Sequence, residues 1–252
     1  MSILNAYNPA EAIINATHFY QPIAGFPKIA LGVFKAIEPL LAAYETEKIL
    51  ETSSAGWACP VWRVRYKGSE IAVYHAMLGG PAAVSAMEKL RAMGAQQFLF
   101  YGSCGVLDRD IAAGGIAVPT AAYRDEGTSY HYAPPDDSYI NIPTAEHLCE
   151  ILTGLELPCV MTKTWTTDAV FRETRQAVQA RRAEGCAVVD MECASIMAAA
   201  QFYNLPVYQM FFAEDCLDCA QWDRRTAGNV PLTKQERCLQ IALEVAHHIA
   251  SL

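Results

Sequence analysis

The sequence predicts an α/β protein in which a mixed, mostly parallel central sheet carries helices on both faces. Short apolar runs rich in β-branched residues alternate with longer segments of helical periodicity along the 252 residues. Strands that alternate with helices are typical of parallel sheets buried on both faces. No repeat or Ser/Gly-rich linker divides the chain, so residues 1–252 are expected to form a single domain, with residues 1–24 as an N-terminal arm.

The elements follow in order from local patterns. Apolar runs predict strands at residues 29–33, 61–66, 71–75, 97–101, 115–119, 159–165, 187–189 and 207–212. Helical periodicity predicts helices at residues 34–44, 81–93, 144–153, 172–183, 191–203 and 233–251. The second of these begins at Pro81 after a Gly-Gly pair, which is a strong signal for a helix start. Ligands of such sheets bind beyond the carboxyl ends of the strands, so the residues after each strand are the first candidates for a site.

Composition excludes several classes of protein. A net charge of −8, a pI near 5.2 and the lack of a Lys/Arg cluster argue against a nucleic-acid partner. The nine cysteines are scattered and odd in number, which favours reduced thiols in a cytoplasmic protein over a disulfide framework. Cys216 and Cys219 have the spacing of a redox pair or a zinc half-site, but no second pair completes a metal site, and small buried side chains are the simpler interpretation.

The longest uncharged stretch, residues 193–213, does not predict a membrane span. Residues 203–206 (Tyr-Asn-Leu-Pro) interrupt it, so a buried helix, a turn and a buried strand explain it better. Residues 1–21 lack the basic start and apolar core of a signal peptide. The expectation is a soluble cytoplasmic protein with no membrane partner.

Three glycine-containing or polar segments follow predicted strands. Residues 76–81 and residues 101–105 (Tyr-Gly-Ser-Cys-Gly) can aim backbone amides at an anion, although either is also compatible with a plain turn. The hydroxyl of Ser103 adds a donor for a phosphate or sugar oxygen. Residues 123–132 are rich in Tyr and His, as expected of a substrate rim or a subunit contact.

A fourth segment, Asp190-Met191-Glu192, joins a predicted strand to an apolar helix. Two carboxylates so close to a buried strand end are costly without partners, and ribose hydroxyls are suitable donors to them. Asp190 alone also fits a helix cap. Glu192 is therefore the more informative residue.

These segments together resemble the nucleoside phosphorylase type I family, which includes uridine phosphorylase, bacterial purine nucleoside phosphorylase and methylthioadenosine nucleosidase. The Gly-Gly-Pro helix start, residues 102–105, the loop 126–131 (Glu-Gly-Thr-Ser-Tyr-His), residues 190–192 and Asp215 occur in the family's order, from about Gly25 to the last helix. The resemblance implies the nucleoside phosphorylase-like fold and cleavage of an N-glycosidic bond.

The resemblance assigns roles to individual positions. Glu192 resembles the glutamate that binds ribose, and Met191 resembles the methionine beneath sugar and base. Asp215 resembles the acid that protonates a leaving purine, whereas uridine phosphorylases have arginine at that position; a purine is therefore favoured. The remaining substrate contacts expected on this basis are Asp190, Phe171 or Val170 for base stacking, Ser103, Cys104, Gly105, and His18 lent to a neighbouring subunit.

The chemistry suits these residues. Cleavage produces an oxocarbenium-like sugar and a base that must not leave as a free anion. A buried carboxylic acid can supply the proton, and Glu214 beside Asp215 is expected to raise the pKa of Asp215 by like-charge repulsion.

The phosphate site departs from the family pattern. Three arginines bind phosphate in the family, and an ungapped placement puts Ile29, Trp57 and Phe100 at their positions. Each charge-assisted contact is worth about 1.5–3 kcal/mol, so this loss should abolish ordinary phosphate binding. The residues expected near phosphate or water are Gly25, Lys28, Gly102, Ser103 and Glu38, and those that can compensate from elsewhere are Lys28, Arg63, Arg65 and Arg124.

Three functions stay open at this stage. Phosphorolysis, with inorganic phosphate as co-substrate and no other cofactor, is slightly favoured. The second is a nucleosidase that positions water with Glu38, although that residue also fits the exposed face of a helix. The third is a nucleoside-binding protein without turnover. The resemblance further implies a homo-oligomer, dimer or hexamer, with the N-terminal arm at a subunit interface.

Overall fold

The computed structural model describes residues 2–54 and 56–251, which form a mixed sheet flanked by helices. The strands are β1 Ile29–Val33, β2 Glu45–Ser54, β3 Trp57–Tyr66, β4 Ser69–His75, β5 Gln97–Val106, β6 Ile116–Asp125, β7 Tyr139–Asn141, β8 Cys159–Thr167, β9 Cys186–Asp190 and β10 Val207–Cys216. The helices are α1 Glu38–Leu41, α2 Gly80–Met93, α3 Ser129–Tyr132, α4 Ala145–Gly154, α5 Arg175–Ala183, α6 Cys193–Phe202 and α7 Leu232–Ala250.

Half of the sheet closes on itself through β5. This strand pairs in parallel with β10 along most of its length and antiparallel with β9 at its carboxyl end. β10 pairs with β6, β6 with β8, and β8 with β9, so these five strands form a closed ring. β1, β4, β3 and β2 continue the sheet from the other edge of β5. Closure brings the carboxyl ends of β5, β9 and β10 together.

The buried helix α6 accounts for the uncharged stretch in the sequence. All residues from Cys193 to Ala200 are buried, the chain turns at Asn204, which has a positive φ of 52°, and it returns along β10. The predicted succession of helix, turn and strand is confirmed. Among residues 2–54 and 56–251, no helix is both long and apolar enough to span a membrane.

Several parts of the secondary structure differ from the prediction, among them β7 and α3, which were not predicted. The helix expected at residues 34–44 shrinks to the single turn α1, with Phe34 and Lys35 in a bend after β1. The charged segment of β2 gives no apolar alternation, yet it forms a strand because its acids meet basic side chains across the β2–β3 pairing. Arg63 Nη1 lies 3.0 Å from Glu47 Oε2, and Arg65 pairs with Glu45.

Candidate active site

Asp190 ends β9 and fixes the start of α6. Its Oδ2 accepts the amide N–H groups of Glu192 at 2.8 Å and Cys193 at 2.6 Å. Its Oδ1 accepts the hydroxyls of Thr164 at 2.8 Å and Thr166 at 2.9 Å. Both carboxylate oxygens are thus fully used by the protein. Asp190 thus holds the first amides at the start of α6 and positions Glu192.

Asp190→Ala is expected to destabilise the fold, because it leaves two buried amides and two buried hydroxyls without an acceptor. Such a network costs about 3–5 kcal/mol when a buried charged partner is removed. Urea unfolding followed by circular dichroism measures the change. An unchanged midpoint would contradict the capping role, and Asp136→Asn on an exposed loop is the matched control.

Glu192 follows Asp190 and is almost fully buried, with 7% of its surface exposed. Its Oε1 accepts the amide N–H of Gly79 at 2.7 Å, just before α2 begins. Burial raises the pKa of Glu192 to about 8, and the negative charge of Asp190 adds to the effect. Glu192 has no ion-pair partner among the residues that the structure describes. A ligand with hydroxyl donors would therefore stabilise its charged form.

The loop of residues 126–129 packs beside Glu192. The carboxylate of Glu126 accepts the amide N–H of Ser129 at 2.9 Å and the hydroxyl of Ser195 in α6. Gly80 is close-packed here, because a Cβ at this position would collide with the Ser195 side chain. The loop predicted as a substrate rim thus lies at the shared start of α2 and α6.

Arg124 holds that loop together and does not replace a phosphate arginine. Its side chain is buried and donates to the Ser129 hydroxyl at 2.9 Å and to the backbone carbonyls of Ala133, Pro134 and Asp137. The expectation that Arg124 can compensate for the missing arginines is therefore wrong, since its donors are already used.

Asp215 lies at the end of β10 on a second side of the site. Its Oδ2 accepts the indole N–H of Trp222 at 2.7 Å. It lines a cavity of about 390 Å³, the Asp215 cavity, together with Val170, Phe171, Glu173, Arg175, Val178, Leu217, Cys219 and Trp222. The structure thus brings Val170 and Phe171 to Asp215, and the side chain of Phe171 is 96% exposed and free to meet a flat ligand.

Gly105 makes the approach of these strands possible. A Cβ at this position would lie 2.7 Å from Leu217 Cδ1 and 2.9 Å from Val189 Cγ1, with Asp215 Oδ1 at 3.2 Å. The Cα of Gly105 is paired with Val189 in β9 and with Asp215 in β10. Gly105 therefore stands between the strand that leads to Glu192 and the strand that carries Asp215. Its neighbour Cys104 is buried, and burial raises the pKa of that thiol.

Glu214 has a different partner from its neighbour Asp215. The register of β10 shifts between Ala213 and Asp215, and Glu214 forms an ion pair with Lys35. The acid whose pKa responds to Asp215 is Glu173, which burial and then the charge of Asp215 raise to about 7. Glu214 is thus engaged with Lys35 and does not line the Asp215 cavity.

Lys35, which the sequence analysis missed, lies just after β1, and Gly102 and Ser103 lie in the middle of β5. These residues and Glu214 line a separate cavity of about 380 Å³, the Lys35 cavity, whose far wall is formed by α7. Its position could have identified it, because Lys35 is the second residue after the strand β1. Ser103 and Gly102 therefore line the same cavity as the Lys35 side chain, but they do not line the Asp215 cavity.

Gly25 and Lys28 lie at the wrong edge of the sheet for a phosphate site. Both precede β1, and the Lys28 carbonyl accepts the amides of Gln96 and Gln97 at the start of β5. The ungapped placement put the phosphate turn before β1, whereas ligand-binding turns follow the strand. The expected phosphate roles of Gly25 and Lys28 are therefore wrong.

The other basic candidates are also engaged. Arg63 Nη1 pairs with Glu47, and its Nη2 donates to the Gly25 carbonyl at 2.9 Å. Arg65 pairs with Glu45 and Glu70. Both lie on the β2–β3 side of the sheet and do not line the Asp215 or the Lys35 cavity.

The three positions that the ungapped placement matched to phosphate arginines all carry apolar side chains. Phe100 is fully buried, with its ring centroid 6.1 Å from that of Phe34 and edge-on to Tyr74 at 6.4 Å. Ile29 is buried in β1, and Trp57 is 72% exposed at the start of β3. An anion gains no charge-assisted contact from any of them.

Three further candidates occupy peripheral or intermediate positions. His18 ends an exposed 3-10 turn, Ala16–His18. Ala16 and Tyr20 lie beside residues 85–91 in the later half of α2, far from the Gly80 end of that helix. Glu38 is the exposed first residue of α1 and lines neither cavity. Met191 is half-buried beside Glu192. Within one chain, His18 and Glu38 are not brought to Glu192.

Cys216 and Cys219 lie close together at the end of β10. The two sulfur atoms are 3.6 Å apart, and no cluster of metal-ligating side chains occurs within residues 2–54 and 56–251. Every cysteine is a free thiol.

Comparison with known proteins places this geometry in a family. Residues 29–251 match the family model described as the phosphorylase superfamily. A guanosine phosphorylase of Halorubrum lacusprofundi is 28% identical over 144 residues, covering 54% of this chain and 57% of that protein. The uridine phosphorylase of Escherichia coli is 36% identical over 73 residues, 29% of each chain. The match covers 60% of a protein of Acanthamoeba polyphaga mimivirus and 57% of the Halorubrum lacusprofundi protein, so this chain spans less than two thirds of the length of either relative.

Solved structures agree on the fold. A purine nucleoside phosphorylase of Toxoplasma gondii superposes with a TM-score of 0.73 at 18% identity, covering 93% of this chain and 94% of that one. A futalosine hydrolase of Helicobacter pylori gives a TM-score of 0.69 at 17% identity, covering 88% and 99%. Because the family model spans β1 to α7, this chain belongs to the phosphorylase superfamily.

Proposed function

We propose that the protein cleaves the N-glycosidic bond of a purine nucleoside. The observation that carries this proposal is the double pairing of Gly105 with Val189 and Asp215. Neighbouring strands lie about 4.8 Å apart, so the end of β9 and Asp215 are separated by roughly two such spacings. One nucleoside spans that gap, with its ribose at Glu192 and its base at Asp215.

Each end of the gap suits one part of the reaction. Glu192 in its charged form accepts hydrogen bonds from the ribose hydroxyls, and these hold the sugar as positive charge develops on it. Asp215 faces the base cavity and delivers a proton to the leaving purine, while the Trp222 indole fixes its orientation. Phe171 offers an exposed ring for stacking.

The nucleophile proposed first is inorganic phosphate bound by Lys35 and the Ser103 hydroxyl. Both residues line one cavity, in which Lys35 follows β1 and Ser103 lies within β5. An ammonium group and a hydroxyl are both donors to phosphate.

Water is the second candidate nucleophile, and a specific observation favours it. Lys35 is already paired with Glu214, and the Phe100 ring fills a position where the family has a phosphate-binding arginine. Water as the nucleophile needs neither Lys35 nor an arginine at the position of Phe100. Relatives of both kinds share the fold, one a phosphorylase and one a hydrolase.

One experiment separates these functions. The protein is incubated with inosine, guanosine, adenosine and uridine, with and without phosphate, and free base is measured. Release that depends on phosphate supports phosphorolysis, and release that is independent of phosphate supports hydrolysis. Saturable nucleoside binding without release would show a binding protein and would overturn the proposal.

Lys35→Met is expected to raise the KM for phosphate by about 10-fold or more, because a charge-assisted contact worth about 1.5–3 kcal/mol is lost. The KM for nucleoside should change little. Steady-state kinetics at varied phosphate measure both values, and Lys48→Met on the exposed face of β2 is the control. An unaltered phosphate KM would remove Lys35 from the site.

We also propose that the protein works as a homo-oligomer. The N-terminal segment exposes Ile13 at 94%, Ile14 at 69% and Phe19 at 71%, which a second copy can cover. Such an arrangement is needed for His18 to meet a nucleoside. The mass in solution, measured by light scattering, checks this directly.

A further inference from the structure

The Lys35 cavity is larger than a phosphate ion requires. Its volume is about 380 Å³. A water molecule takes up about 30 Å³, so the cavity has room for roughly a dozen non-hydrogen atoms. Inorganic phosphate, a single phosphorus atom with its oxygens, fills less than half of that space. Most of the cavity under α7 is therefore left for a different ligand.

The floor of this cavity is apolar. Tyr101, Ile116 and Phe212 line it and are buried, and the rings of Tyr101 and Phe212 pack edge to face with centroids 5.7 Å apart. Leu157 and Ile241 add half-buried aliphatic side chains. Such a floor favours a ligand with an apolar body, because removal of apolar surface from water stabilises the complex.

The rim of the cavity carries positive charge. Lys234 and Arg237, from the first two turns of α7, line the cavity and are exposed. Among residues 2–54 and 56–251, neither side chain forms an ion pair or a hydrogen bond. Of the described residues that line the cavity, only Glu214 is acidic, and it is paired with Lys35. The two rim cations therefore have no counter-charge in the cavity.

Cys238 connects the rim to the floor. It follows Arg237 in α7, and burial raises the pKa of its thiol to about 11 against the lowering effect of Lys35, Arg237 and Lys234. The pKa of Tyr101 is raised first by burial and then by the Cys238 thiol. One point of the cavity wall is therefore close to all three cations and to an aromatic residue of the floor.

We propose that the Lys35 cavity binds a small amphipathic carboxylate, with its apolar body on the floor under α7 and its charged head at Lys234 and Arg237. These two residues are three positions apart on one helix, so their side chains lie on the same face and can contact one head group. The guanidinium of Arg237 offers paired donors that match the two oxygens of a carboxylate. A free carboxylate of about eight carbons has the size that the cavity accommodates.

This ligand site does not depend on the proposed function, because it concerns binding and not cleavage. It has one consequence for the reaction. Lys35 and Ser103 line the same cavity, so an occupant of the cavity competes with phosphate where phosphate is the nucleophile.

Calorimetric titration of the full chain with octanoate, in phosphate-free buffer, tests the proposal. We expect saturable binding of one octanoate per chain. The affinity should rise by about 3- to 4-fold for each methylene added from butanoate to octanoate, as the burial of one methylene implies. Octanamide, which keeps the chain but lacks the charge, should bind about 5- to 10-fold more weakly than octanoate, because two exposed charge contacts are lost.

Four variants locate the ligand. Cys238→Phe fills the cavity wall and should abolish octanoate binding, whereas Cys238→Ala leaves the cavity open and should bind octanoate as the wild type does. Lys234→Met combined with Arg237→Met should weaken octanoate by about 5- to 10-fold and leave octanamide unchanged. Lys48→Met combined with Arg65→Met, on the β2–β3 side of the sheet, is the charge-matched control. Urea unfolding shows that each variant is folded before it is titrated.

Several results overturn the proposal. They are the absence of saturable octanoate binding, equal affinities for octanoate and octanamide, an affinity that does not change with chain length, and wild-type affinity in folded Cys238→Phe. Acetate or inorganic phosphate bound as tightly as octanoate would also overturn it, because the apolar floor would then contribute nothing. None of these titrations measures nucleoside cleavage, so failure of this proposal and failure of the proposed function are distinguishable.

Discussion

Asp215→Asn is expected to lower kcat for inosine and guanosine by about 10²- to 10⁴-fold, the usual contribution of a positioned general acid. Asparagine keeps the shape of the side chain and can still accept the Trp222 indole N–H, so the cavity should persist. It cannot give up a proton to the leaving base. The KM should therefore change far less than kcat, and steady-state kinetics separate the two.

The matched substrate is a riboside whose leaving group needs no proton, such as 4-nitrophenyl riboside, since nitrophenolate departs as a stable anion. Asp215→Asn should slow its cleavage by less than about 10-fold, because only the protonation step is impaired. Equal slowing of purine nucleosides and the nitrophenyl riboside would remove Asp215 from the acid role. Asp136→Asn, on an exposed loop, controls for the change of charge.

Glu192 and Asp215 were chosen for one property, which is their place at a strand end. Glu192 and Asp215 follow apolar runs whose strand character is unambiguous, and the carboxyl ends of strands meet in space. The structure puts Asp215 in β10 and Glu192 two residues after β9, and these two strands flank Gly105. Local pattern was sufficient here because the fold class converts position along the chain into position in space.

The errors came from features that only tertiary structure determines. Gly25 and Lys28 fit a motif by spacing, but the motif lies on the wrong side of β1. Arg124 looked available, yet backbone carbonyls of its own loop use its donors. Glu214 adjoins Asp215 in sequence, but a register shift in β10 sends it to Lys35. Neighbours in sequence were mistaken for neighbours in space.

The closed ring of strands was also beyond local reasoning. β5 reads as a single apolar strand, and nothing in its pattern shows that its last two residues pair with β9 as well as with β10. The signal that remains in the sequence is Gly105, because the absence of a side chain there allows both β9 and β10 to lie close to β5. Glu173 was missed for a related reason, since its setting in an exposed turn gives no hint that it lines a cavity.

Glu192→Gln is expected to lower kcat/KM for ribonucleosides by about 10- to 100-fold, because neutral glutamine replaces charge-assisted contacts to the ribose hydroxyls worth about 1.5–3 kcal/mol. A 2′,3′-dideoxynucleoside, which lacks those hydroxyls, should be cleaved by wild type and variant at similar rates. Parallel losses on both sugars would mean that Glu192 supports the fold and does not bind the ribose. Glu146→Gln is the control.

The pH dependence gives a second and independent readout for Glu192. Its pKa in the folded, ligand-free protein is about 8, above its ordinary value of 4.5, so ionisation is disfavoured by folding. Stability from this group is complete below pH 4.5 and is lost progressively as the pH rises towards 8. Glu192→Gln removes that loss and should unfold at a higher urea concentration than wild type at pH 9, but not at pH 5. Ribonucleoside hydroxyls favour the ionised form, so the wild-type KM should fall between pH 6 and pH 9, and that of Glu192→Gln should stay flat. A variant with the wild-type pH profile would place the titrating group elsewhere.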